Sequence, residues 1–150
     1  MSDNAAIRLR GMTADDAAAA MPLLAQLGYE MSPQEASRRV REVLAAPGHA
    51  VLVADIAGRI AGLLHVFVRP AVENPREAVV EALVVAEDCR RIGVGRRLMA
   101  EAERWGAERD CRSVVLSSNI VREPAHASYA ALGYRVSATA YVLRKRFPQR

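Results

Sequence analysis

Residues Val79 to Leu98 constrain the fold of this chain more than any other stretch. Val79-Val80-Glu81-Ala82-Leu83-Val84-Val85 is apolar at every position except Glu81. A run of this kind, rich in valine on both alternations, reads as a strand covered on both faces. Arg90 to Gly95 then form a turn. Beyond it Leu98, Ala102, Trp105 and Gly106 recur on one face of a helix that runs to about Glu108. Val114-Val115-Leu116 makes a second buried strand. Strand 79–85, helix 95–108 and strand 113–118 therefore form one right-handed parallel crossover, around which the rest of the chain must fit.

The flanking elements follow from local signals. Ile7-Arg8-Leu9-Arg10 alternates as a first strand. Thr13 caps a helix that carries Asp15 and Asp16 in its first turn and ends near Leu27 at Gly28, with Pro22 placed to kink or split it. Ser32-Pro33-Gln34-Glu35 is a capping box with proline at the first helical position, and Pro47-Gly48 stops that helix after Leu44. Strands at about 49–55 and 59–68 meet in a tight turn at Ile56-Ala57-Gly58. A loop covers Pro70 to Pro75. Pro124 opens a short helix to Leu132, Gly133 ends it, and Tyr134–Val136 and Tyr141–Arg144 read as two last strands. The expectation is a mixed α/β fold: a mostly antiparallel six- to seven-stranded sheet, helices on both faces and a central parallel β-α-β unit. With 150 residues and no linker or repeat, residues 1–150 make a single domain.

Several function classes fall away. Cys89 and Cys111 form no C-x-x-C pair, and His49, His65 and His126 form no H-E-x-x-H, so no metal site is expected. No G-x-S-x-G elbow or G-K-[ST] loop occurs. The net charge is +4 and all basic residues but Lys145 are arginine. These arginines are scattered, with few aromatics between them, which argues against a nucleic-acid surface. No apolar run is long enough for a membrane span, and Met1 to Ala6 lack the layout of a signal peptide, so a cytoplasmic location is expected.

The turn at Arg90 to Gly95 carries the chemistry. A helix start leaves backbone amides without partners and places partial positive charge there, glycines at 93 and 95 allow close approach, and flanking arginines add charge. Those properties make a pyrophosphate site. A Rossmann site competes for the reading but fails: the motif lies mid-chain, Leu98 stands where a third glycine belongs, and no acid ends the next strand.

Arg90, Gly93 and Gly95 spell R-x-x-G-x-G, which resembles the coenzyme A signature of the GCN5-related N-acetyltransferases. Leu116-Ser117-Ser118-Asn119 ends the following strand, and Ala125 to Tyr134 matches that family's A-x-x-x-Y-x-x-x-G-[FY] segment. The resemblance extends over essentially the whole chain. It implies that the parallel unit binds acetyl-CoA: the pantetheine arm pairs with the backbone of Leu83, Val84 and Val85, the amides from Arg91 through Ile92, Gly93, Val94 and Gly95 to Arg96 cradle the pyrophosphate beside Arg90, Asn119 reaches the pantetheine, and Tyr129 lies near the sulfur. It further implies direct attack of a neutral amine on the thioester, and a homodimer formed through the last strands 134–146.

Tyr129, a phenol with an ordinary pKa near 10, suits a donor of the leaving thiolate's proton, although a core aromatic is the bland alternative. Glu81, a charge inside a buried strand, suits an amine-binding acid or a base facing it across the cleft. Its bland alternative is a pair with Arg69 or Arg76. Tyr29 and Glu30, with Met31 and the loop 69–76, are expected to line the acceptor site, and His65 to contact it, although a lone strand histidine is more often packing. Arg69, Arg76 and Arg122 would suit an acidic tail on the acceptor. The stretch Leu116 to Tyr134 is also similar to members acting on small amines, aminoalkylphosphonate N-acetyltransferases among them, so the acceptor implied is a small-molecule amine. A protein N-terminus or lysine is the alternative acceptor, and an acyl-CoA sensor without turnover is the alternative outside catalysis.

Overall fold

The antiparallel half of the sheet is built from alternating apolar runs, and a computed structural model, which describes residues 6–117 and 123–149, shows how they pair. One five-stranded sheet has the order β1 (Ile7–Gly11), β2 (His49–Ile56), β3 (Arg59–Arg69), β4 (Glu77–Val85), β5 (Ser113–Leu116). The first four strands are antiparallel in sequence order, and β4 and β5 are parallel. The β2–β3 turn places Ala57 and Gly58 at φ 52° and 86°, the left-handed pair that a two-residue hairpin loop demands.

Helices cover both faces. A 3₁₀ turn at Ala14–Asp16 leads into α1 (Ala17–Gln26). Pro22 lies inside α1 without splitting it, so the break that proline invites does not occur. Gly28, at φ 95°, closes α1, with the Tyr29 amide reaching back to the Leu24 carbonyl at 3.0 Å. In α2 (Pro33–Ala45) the Ser32 hydroxyl accepts from the Glu35 amide at 3.1 Å, while the Glu35 carboxylate turns to Arg38 and Arg39 instead of returning to the cap. Ala20 and Leu23 of α1 pack with Val51, Val53, Leu63 and Val84, and Val40 and Val43 of α2 close over them. On the opposite face Leu64 and Val66 are fully buried with Val94, Leu98 and Met99 of α3 (Val94–Glu108). At the start of the sheet Arg10 binds Asp16 and Asp55 together, which holds the Asp16 carboxyl down at about 2.

Two compact units divide the chain, Met1–Ser117 and Ser118–Arg150. The second holds α4 (Glu123–Ala131), closed by Gly133 at φ 94°. Here the structure corrects the sequence reading. Residues 134–149 contain no strand, so Tyr134–Val136 and Tyr141–Arg144 do not extend the sheet, which has five strands among the described residues and not six or seven. Val136, Tyr141, Val142 and Leu143 are exposed, because their alternation finds no strand edge to pair with. The edge expected to mediate dimerisation is thus not a strand. No described helix is long and apolar enough to cross a membrane.

The seat of α3 on the sheet depends on two absent side chains. A Cβ on Gly62 of β3 would stand 2.7 Å from the Val94 Cγ1 and 3.1 Å from the Leu98 Cδ1, and a Cβ on Gly106 would stand 2.9 Å from the Ala78 Cβ. The 2.7 and 2.9 Å contacts are too short for real carbon atoms, and the one at 3.1 Å is tight. Gly62→Ala is therefore expected to lift the start of α3 and destabilise the fold by about 1–3 kcal/mol. Urea denaturation that finds the variant as stable as wild type would contradict this seating.

Candidate active site

The site begins with a fault in the sheet. His65 pairs with Ala82 and Val66 pairs with Val80, so Glu81 is an extra residue in β4, a β-bulge. Its side is exposed although its strand neighbours Val79 and Val80 are buried. Pairing of β4 with β5 covers Glu77↔Ser113 through Val80↔Leu116 and stops there, one residue before the bulge. Beyond it the two parallel strands no longer share a ladder among the described residues.

The groups exposed by this parting follow from strand alternation. The Ala86 amide donates to the Ala61 carbonyl of β3 at 2.8 Å, so the peptide groups of Val84 also face β3, and those of Leu83 and Val85 face the open side. Leu83 and Val85 thus present backbone donors and acceptors along an edge without a ladder partner among the described residues, whereas Val84, expected to join them, turns its peptide groups to β3. One of them is engaged: the Gln26 Nε2 donates to the Val85 carbonyl at 2.9 Å, and the Gln26 Oε1 accepts from the Glu87 amide at 3.2 Å. Nothing in the sequence singles out Gln26, because a polar residue in the last turn of a helix is ordinary.

After a 3₁₀ turn at Glu87–Cys89, the chain enters α3 through two left-handed residues, Arg91 at φ 69° and Gly93 at φ 93°. No side chain caps α3. The Arg97 amide is the first to close onto the helix, reaching the Gly93 carbonyl at 3.0 Å, so the amides of Val94, Gly95 and Arg96 have no intrahelical acceptor. A Cβ on Gly93 would meet nothing within 4 Å, so its glycine is required by backbone conformation and the space beside it is open. Arg90, Arg91 and Arg96 are exposed around this turn. Arg97 is not one of the free cations, since its guanidinium donates to the Ile7 carbonyl at 2.6 Å. Donors, dipole and charge converge there as an anion cradle. Buried Cys89 nearby is an unreactive thiol, its pKa pushed up chiefly by burial.

On the α1 side, Met21, Leu24, Ala25, Tyr29, Glu30 and Met31 line an open hollow of about 320 Å³. Tyr29 and Glu30 thus share one hollow with apolar walls and one carboxylate, and no residue of the loop 69–76 lines it. Arg69 pairs with Glu77 at 3.0 Å, and Arg76 donates to the Arg109 carbonyl at 2.8 Å. Neither pairs with Glu81, so the bland account of Glu81 fails for these two arginines, each of which has its partner elsewhere in the fold. Asn119 and Arg122 lie outside the described residues. In the second unit Tyr129 is half-buried and meets Tyr134 edge-on, ring centroids 6.1 Å apart.

Residues 14–134 match the model of the Acetyltransferase (GNAT) family. The aminoglycoside N(6')-acetyltransferase type 1 of Serratia marcescens is 28% identical over 119 residues, covering 76% of this chain and 82% of that protein. Among solved structures, the aminoglycoside N-acetyltransferase AAC(6')-Iy in complex with CoA superposes with a TM-score of 0.84 at 22% identity, covering 95% of this chain and 96% of that one. A transcriptional regulator from Bacillus halodurans C-125 has the same fold, with a TM-score of 0.86 at 21% identity over 93% of this chain and 100% of that one.

His65 sits opposite the bulge but faces inward to a ring cluster. Its Nε2 lies 2.9 Å from the Nδ1 of His49, and His49 stacks on Phe67 at 4.9 Å. Burial first, and then the neighbouring His49, push the His65 pKa below its ordinary 6.5. As pH falls below 6.5 the unfolded chain therefore takes up this proton before the native one does. Stability should fall with pH in that window, by up to about 1.4 kcal/mol per pH unit, and level off below the native pKa. His65→Gln should flatten the fall between pH 7 and 5 in urea titrations. An unchanged slope would show that His65 is not the group responsible.

Proposed function

The chain belongs to the acetyltransferase (GNAT) family, as an acetyl-CoA-dependent N-acetyltransferase, and from that premise we propose that it acetylates a primary amine carried by a small cationic molecule. The observation that carries this reading is the edge of Leu83 and Val85, without a ladder partner among the described residues, which runs from the bulge toward the start of α3. One end of that path offers the peptide groups that an amide-bearing arm needs, and the other offers the amides and arginines that a pyrophosphate needs. The fit supports binding of acetyl-CoA, which supplies the activated acetyl group.

Each residue then has a task. The Leu83 and Val85 backbone holds the arm as an added strand would. The Val94, Gly95 and Arg96 amides, with Arg90, Arg91 and Ile92 shaping the turn, hold the diphosphate. Glu81, exposed at the bulge, binds the acceptor ammonium or takes its proton, so that the neutral amine attacks the thioester carbon directly. Tyr129 donates the proton that the departing thiolate requires. The hollow at Tyr29 and Glu30 receives the acceptor, its carboxylate matching a cation and its methionines an apolar flank. Small-molecule acceptors are further supported by the aminoglycoside-acetylating relatives.

A screen of thiol release across aminoglycosides, polyamines, amino acids, aminophosphonates and peptides tests the acceptor class. Turnover is expected with small cationic amines. Turnover of peptides alone would replace this reading with a protein acceptor, and coenzyme A binding without any turnover would replace it with a sensor. In the same assay Tyr129→Phe should lower kcat about 10²-fold, the low end for a general acid serving a thiolate, while coenzyme A affinity by calorimetry stays within about twofold. Full kcat with chemistry rate-limiting would make Tyr129 a packing residue.

A further inference from the structure

Gln26 is the last residue of α1, yet its carboxamide lies on β4. It donates to the Val85 carbonyl at 2.9 Å and accepts from the Glu87 amide at 3.2 Å. The C=O of one residue and the N–H of the residue two further on are the two groups that the N–H and C=O of a single residue of a parallel neighbouring strand would engage. The side chain therefore stands in for one residue of a missing strand. The unpaired edge of β4 offers two such places in succession: an inner one between the Leu83 carbonyl and the Val85 amide, beside the bulge at Glu81, and an outer one between the Val85 carbonyl and the Glu87 amide. Gln26 occupies the outer place.

We propose that Gln26 is a positioning residue for the amide-bearing arm of the acyl carrier: by filling the outer place and holding β4 straight, it directs the arm to the inner place and so sets the thioester beside Glu81. This rests on the reading of the edge as the coenzyme A site. Two features support it. The end of β4 has no ladder partner on this side among the described residues, so without Gln26 the Val85 and Glu87 groups would be left to water and the edge would lose its defined line. Gln26 also continues directly into the turn that carries Tyr29 and Glu30, with Ala25 of the same helix turn lining the hollow. The two hydrogen bonds thus tie the acceptor hollow to the strand that holds the donor.

The test compares two ligands that share the nucleotide end but differ in the arm, coenzyme A and adenosine 3',5'-bisphosphate, by calorimetry on the full chain. Gln26→Leu keeps the size and removes both bonds. Losing a pair of neutral hydrogen bonds should weaken coenzyme A about tenfold and leave the bisphosphate within about twofold. The kcat for acetyl transfer should fall as well, and Gln26→Glu, which keeps the acceptor for Glu87 but not the donor for Val85, should lie between. Equal weakening of both ligands would mean a general structural role and overturn the proposal, as would no change in either. If Gln26→Leu does not fold, the comparison is read from Gln26→Glu alone. Wild-type protein that binds coenzyme A while Gln26→Glu matches it for both ligands overturns this inference only. Wild-type protein that binds neither ligand overturns the reading beneath it as well.

Discussion

The close seat of α3 on the sheet is the constraint on which the rest depends. Gly62 admits Val94 and Leu98 at one end of the helix, and Gly106 admits Ala78 at the other. With no Cβ at either point, the helix axis can approach the strands until Leu98 and Met99 are fully buried. Interiors packed to crystal-like density do not tolerate an added carbon at such distances. This seating sets the height of the helix start over the end of β4, and therefore the place where three amides are offered to an anion. A helix lifted by an ångström would present the same amides to a different point in space.

The bulge at Glu81 acts on the other side of the same junction. A parallel pair that stayed in register would consume the peptide groups of Leu83 and Val85 in a ladder. One inserted residue stands in β4 just where its pairing with β5 ends, and the edge beyond has no ladder partner among the described residues. The only charged residue in the apolar run is the inserted one, which accounts for an exposed carboxylate inside a buried strand. The residue that looked least compatible with its strand is thus the residue the strand does not pair.

Charge is distributed by the same logic. Several arginines are committed to structure: Arg10 to Asp16 and Asp55, Arg59 to Asp88, Arg69 to Glu77, and Arg97 to the Ile7 carbonyl. The exposed ion pairs among these, Arg59 with Asp88 and Arg69 with Glu77, contribute little to stability but neutralise one another locally. Arg90, Arg91 and Arg96 remain exposed at the turn before and into α3, so part of the excess positive charge lies there.

The crossover from Val79 to Leu116, the helix capped by Ser32, the hairpin at Ala57–Gly58 and the helix start at Gly93–Gly95 were legible in the sequence. Each follows from interactions within a few residues: apolar periodicity, a capping hydroxyl, a left-handed glycine, a helix start. The resemblance carried by Arg90, Gly93, Gly95 and the segment at Tyr129 added the family. What local signals could not decide was partnership between distant segments. Alternation in 134–136 and 141–144 suggested strands, but a strand exists only where another edge receives its hydrogen bonds. The contact between the His65 ring and His49 on the neighbouring strand was likewise invisible to local pattern. Gln26 carried no signal at all, because its function lies in reaching a carbonyl and an amide 59 and 61 residues away. Local physics wrote the elements and the anion-binding turn into the sequence. Which edge stays open, and which side chain guards it, was decided by tertiary structure, because only packing determines which backbone groups are left without a partner.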